Sequence, residues 1–92
     1  MSWSRDPGVV SDVIEGKAVL VDAAGRELIT LNSVGTIVWE ALDGRRDVAG
    51  LCDVVAARYP STPRTQVETD VGSFLAELSG LGLVSESAPA PG

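Results

Sequence analysis

From Val34 to Gly82 the chain meets one constraint three times: apolar residues recur at helical spacing, and each set is closed by Gly or Pro. The first set is Val34, Ile37, Val38, Ala41 and Leu42, ending at Gly44, with Trp39 on its flank. The second is Val48, Leu51, Cys52, Val55, Ala56 and Tyr59, stopped by Pro60. The third is Val67, Val71, Phe74, Leu75, Leu78 and Leu81, running to Gly82. A recurrence at i, i+3, i+4 and i+7 marks amphipathic helices that each bury one stripe. Start signals agree. Asn32 or Ser33 suits the first N-cap and Asp47 the second. The third helix offers Thr62 followed by Pro63, or a capping box from Thr65 to Glu68.

Ahead of the helices the period changes. Val9–Ile14, Lys17–Val21 and Glu27–Leu31 are short runs rich in β-branched residues, separated by turn residues at Glu15-Gly16 and at Asp22 to Gly25. In the last run Glu27, Ile29 and Leu31 share one face, and Leu28 and Thr30 the other. The expected fold is α+β and winged-helix-like: a three-stranded antiparallel sheet followed by three helices, βββααα. With 92 residues the chain has room for one core. Residues 9–84 are expected to form the domain, 1–8 a flexible N-terminus, and 85–92, rich in Ser, Ala and Pro, a disordered tail.

Composition narrows the chemistry. The chain has no histidine and a single cysteine. Ser-His-Asp and Cys-His pairs, imidazole metal ligands and a general base near neutral pH are therefore all missing. Cys52 sits at a core position, which suits a structural thiol better than a reactive one. No carboxylates show metal-ligand spacing, and no Gly-rich phosphate loop is present. The reading is a protein without catalytic residues, metal or cofactor. Seven basic against 13 acidic residues give a net charge of −6. That balance disfavours phosphate backbones and anionic membranes. The opening residues lack the apolar stretch of a signal peptide, and no run approaches the roughly 20 residues of a membrane span. The expected setting is the cytoplasm.

Binding remains. The third strand of so small a sheet has an open edge, which must be covered or used. An extended peptide can add there as a further strand, its main chain supplying affinity and side-chain pockets supplying specificity. Beside that edge the third helix carries its wide apolar stripe, rimmed by Asp70, Ser73 and Glu77. Gly72 in mid-helix suggests a close neighbour, because glycine there costs about 1 kcal/mol relative to alanine. The expected peptide site is Glu27, Leu28, Ile29, Thr30 and Leu31 on the strand, with Val67, Asp70, Val71, Phe74, Leu75 and Glu77 on the helix. Asp70 and Glu77 would favour a peptide bearing Lys or Arg, and a proline at Ile29 is expected to remove a ladder donor. The alternative is a winged-helix interaction or regulatory protein that binds a folded partner. DNA binding is disfavoured, because the third helix carries Glu68, Asp70 and Glu77 and no base after Arg64.

The run Leu31, Asn32, Ser33, Val34, Gly35, then Ile37, Trp39, Glu40 and Leu42, Asp43, Gly44, resembles the PqqD-like proteins. Val48 to Tyr59 is similar to the family's second helix. Asp70, Val71, Phe74, Leu75 and Leu78, with Gly82, Leu83 and Val84, are similar to its third. The resemblance implies a RiPP recognition element, which binds the leader of a ribosomally made peptide precursor along the third strand and third helix. It also implies a modifying enzyme as partner: a radical SAM enzyme in pyrroloquinoline quinone biosynthesis, or a leader peptidase in lasso-peptide pathways. The stretch Glu27–Thr30 departs from lasso-type relatives in having no aromatic residue.

Overall fold

The computed structural model describes residues 2–87, and Met1 and residues 88–92 lie outside the described part. The elements run β1 (Ser2–Arg5), β2 (Val10–Ile14), β3 (Lys17–Val21), β4 (Leu28–Thr30), α1 (Ser33–Ala41), α2 (Val48–Arg58), α3 (Arg64–Gly80) and β5 (Val84–Ser87). The α+β meander-then-helices order is as the sequence suggests. Strands β2, β3 and β4 form one antiparallel sheet in that order, with Leu20 opposite Ser11 on one side and Ile29 on the other.

Two strands are additional. Residues 2–5, expected to lie in a flexible lead, pair antiparallel as β1 with β5, which runs from Val84 at the end of the expected domain into residues 85–87 of the expected tail, with Trp3 opposite Glu86. The pairing is tied down on its other side, where Trp3 N–H donates to the Arg46 carbonyl at 2.9 Å and Gly44 N–H to that of Trp3 at 3.1 Å. Arg5 then reaches α1. Its Nε donates to the Trp39 carbonyl at 3.0 Å, and its guanidinium lies 5.2 Å from the Trp39 ring centroid. Helix α1 has no basic residue in its own last turn, so Arg5 supplies the cation that its exposed carbonyls favour.

The core takes Ala18, Leu20 and Leu31 from the sheet region, together with residues of all three helices and Leu83 and Val84. Trp39 belongs to it. Its side chain is 2 % exposed, so it is a core residue, not one on the flank of α1. Val34 and Ile37, assigned to the core stripe by spacing, are only half-buried. The sheet joins α1 through a buried polar contact: Thr36 Oγ1 accepts the Ala18 N–H at 2.8 Å. Asn32 and Asp47 cap α1 and α2 by accepting the N–H of Gly35 and Gly50, each at 2.8 Å. Helix α3 differs from expectation. It begins after Pro63 with no side-chain cap, and neither Thr62 nor Thr65 accepts from its first turn. It ends in a Schellman arrangement at Gly82 (φ +74°), where Leu83 N–H bonds the Leu78 carbonyl at 3.0 Å and turns the chain back towards β5.

Candidate functional site

Among the described residues strand β4 has one partner strand, β3, and the ladder fixes which groups face away from it. Leu31 N–H donates to the Ala18 carbonyl at 2.8 Å, and Asp22 N–H to that of Glu27 at 3.2 Å. Antiparallel bonding alternates, so Glu27, Ile29 and Leu31 direct their peptide groups inward at β3. Leu28 and Thr30 direct theirs outward. Among the described residues no hydrogen bond reaches the outward N–H of either. A proline at Ile29 would therefore break the resident sheet and leave the open edge intact, contrary to the sequence-based choice of probe.

The opposite edge of the sheet, at β2, is not equivalent. There the outward groups belong to Ser11 and Val13, and Val13 N–H is already taken by Asp12 Oδ1 at 2.8 Å. A side chain bound to its own strand in this way blunts an edge against a further strand. The β4 edge has no such cover.

Alongside β4 lies a recess of about 150 Å³ with Ile29, Thr30 and Leu31 on one wall and Phe74, Leu78 and Leu81 on the other. It is smaller than the roughly 300 Å³ at which small-molecule sites begin, and suits a single side chain. It adjoins a second recess, of about 280 Å³, in which Asp70, Ser73, Phe74 and Glu77 face Asn32 and Gly35. Phe74 and Glu77 belong to both. Gly35 makes the junction possible. A Cβ at that position would stand 2.9 Å from Phe74 Cε2, so glycine lets the ring lie against α1.

The structure thus divides the expected site residues. Ile29, Thr30, Leu31, Asp70, Phe74 and Glu77 meet at the groove, and Leu28 contributes outward peptide groups. Glu27 stays outside both recesses, with its carbonyl spent on β3. Val67, Val71 and Leu75 are corrected to core positions, each at most 1 % exposed. The reason is helical phase. Asp70, Phe74, Glu77 and Leu81 form one row, and Val67, Val71, Leu75 and Leu78 another, roughly a quarter-turn round the helix. The apolar stripe read from the sequence merges the two. Leu78, Leu81 and Asn32 were not expected at the groove. In the sequence the first two stand at the end of the α3 stripe, and Asn32 reads only as a cap. Gly72 faces open space, with no atom beyond its own stretch of helix within 4 Å of where a Cβ would be, so it marks no close approach.

Among the described residues no cluster of three His, Cys, Asp or Glu could hold a metal ion. Cys52 is fully buried, and burial raises its thiol pKa above the ordinary value. A thiolate nucleophile needs the opposite. No helix among the described residues is long and apolar enough to cross a membrane.

An α+β domain with an open strand edge beside an apolar groove is the architecture of a module that takes an extended peptide. The model of the family described as coenzyme PQQ synthesis protein D (PqqD) matches residues 17–84, and the chain belongs to that family. Among solved structures it is similar to TbiB1 in complex with the TbiA(beta) leader peptide, at 28 % identity and a TM-score of 0.81, covering 94 % of this chain and 99 % of that one. It shares its fold with lasso peptide synthetase B1 complexed with the leader peptide, at 19 % identity and a TM-score of 0.79, over 94 % and 100 % of the two chains. It also shares it with the PqqD truncation of Methylobacterium extorquens PqqCD, a stand-alone RiPP recognition element, at 21 % identity and a TM-score of 0.74, over 91 % and 88 %. No curated protein matches the chain.

Proposed function

We propose that this protein binds the leader of a ribosomally synthesised peptide precursor by strand addition at β4, and delivers it to a modifying enzyme. It does no chemistry itself. The observation that carries the reading is the pair of outward peptide groups at Leu28 and Thr30, unpartnered among the described residues, beside the groove of Ile29, Phe74, Leu78 and Leu81. A leader strand laid along that edge gains main-chain bonds, and its alternate side chains drop into the groove. The leader complex of a relative at 28 % identity, matched over nearly its whole length, supports the same reading. The enzyme served is a radical SAM enzyme or a leader peptidase, acting in the cytoplasm.

The test is calorimetry with a leader of about 20 residues on Thr30→Pro, with Thr30→Ala as control. Proline deletes one outward donor without touching the bonds to β3, and an edge strand tolerates it. A bound carbonyl left without its donor costs about 1–3 kcal/mol, so affinity should fall by roughly tenfold or more. The alanine control should bind within a few-fold of wild type. Unchanged affinity in a folded Thr30→Pro protein would exclude strand addition at this edge.

A further inference from the structure

Outside the peptide edge and its apolar recess, the second recess has a chemistry of its own. Asp70, Phe74 and Glu77 stand at i, i+4 and i+7 on α3, so a half-buried aromatic ring lies between two exposed carboxylates on one face. Neither recess is lined by Lys or Arg. The ion pairs of the described residues lie elsewhere, joining Arg46 to Asp43, and Arg64 to Asp53 and Glu68. Asp70 is held by Gln66 Nε2 at 2.8 Å, a neutral partner that fixes its carboxylate and leaves its charge. Glu77 has no hydrogen bond or ion pair among the described residues. At Gly35 the missing side chain lets the Phe74 ring come close to α1, and the ring lines the recess together with the two carboxylates.

We infer that this recess reads a cation. The bound peptide carries Lys or Arg two residues from its apolar anchor, and the charged end lies over Phe74 between Asp70 and Glu77. This rests on the peptide-binding reading above. The spacing follows from strand geometry: side chains on one face of a strand repeat every two residues, about 7 Å apart. An apolar side chain beside Ile29 and Leu81 therefore places its same-face neighbour, one step towards Asn32, in the second recess. There two carboxylates offer charge-assisted hydrogen bonds, and the Phe74 ring that lines the recess offers a partner for a cation–π contact. The recess thus sets a requirement on the peptide beyond strand-forming capacity.

The test uses a displayed library of random dodecamer peptides, selected in parallel on the wild-type protein and on an Asp70→Asn, Glu77→Gln double variant. Both residues are exposed, so the variant should fold, which circular dichroism checks. The wild type should enrich peptides with an apolar residue and a Lys or Arg two positions away. The variant should keep the apolar preference and lose the basic one. A synthetic peptide of the enriched sequence should bind the wild type roughly tenfold more tightly than its analogue with norleucine in place of the cation. For the variant the two should bind alike. An apolar pattern without the cation, or a cation preference that survives in the variant, overturns this inference and leaves strand addition standing. Failure of the folded wild type to enrich any peptide overturns the peptide-binding reading itself.

Discussion

Replacing Thr36 by Val is a sharp test of how the sheet is joined to the helices. Thr36 is 5 % exposed and its hydroxyl accepts the N–H of Ala18, which is fully buried. Ala18 lies at the end of the β3–β4 ladder. Its carbonyl still accepts from Leu31, but its N–H has turned to the helix. Valine matches threonine in shape and in helix propensity, so the substitution opens no cavity. What it does is leave one buried backbone donor without an acceptor, which costs about 1–3 kcal/mol. For a domain of this size about 2 kcal/mol corresponds to a fall in Tm of roughly 8–16 °C. Urea denaturation followed by circular dichroism, at constant m-value, reads the change directly. Thr36→Ser keeps the hydroxyl and should lose less than Val does. A Val variant as stable as wild type, or a Ser variant less stable than Val, would refute the assignment of this hydrogen bond.

Trp39→Ala should destabilise by about 3–5 kcal/mol in the same assay, because the largest fully buried side chain is removed from the core. Trp39→Phe should lose markedly less, since Trp39 Nε1 has no hydrogen-bond partner among the described residues to forfeit. Cys52 should resist thiol reagents in the folded protein and react on unfolding, as the thiol is fully buried. Burial raises its folded-state pKa, so the unfolded thiol ionises first. Its contribution to stability is complete below about pH 8.5, the unfolded value, and is lost as pH rises through the folded value. A pH titration of stability in wild type and Cys52→Ala should show that alkaline loss in the wild type alone.

Much of this fold was legible because its signals are local. The turns at Glu15-Gly16 and Asp22 to Gly25, the Asn32 and Asp47 caps and the alternation of Leu28, Ile29 and Thr30 each depend on a few neighbouring residues. The β1–β5 pair was not legible, because it joins the two ends of the domain and neither strand has a marked period. Trp3, half-buried and packed on the core, was the available hint: a large aromatic is poorly spent in a flexible lead. Missing β1 also misplaced Trp39, whose ring and carbonyl are engaged by Arg5 from that strand. At the groove, the strand edge was legible from the small size of the sheet. The outward direction of Leu28 and Thr30 was not, since it depends on pairing with β3. The α3 residues were blurred for another reason: Phe74 is flanked in sequence by core and groove positions, and apolarity alone does not separate the two rows.

A leader that becomes a new strand on β4 is detected most directly by backbone amide exchange measured by NMR, residue by residue. In the free protein the N–H groups of Leu28 and Thr30 should exchange readily, while those of Ile29 and Leu31 are held by β3. Saturation with leader peptide should slow exchange at Leu28 and Thr30 by at least about tenfold and change Ser11 and Val13 little. Saturated binding with Leu28 and Thr30 unprotected would contradict the account.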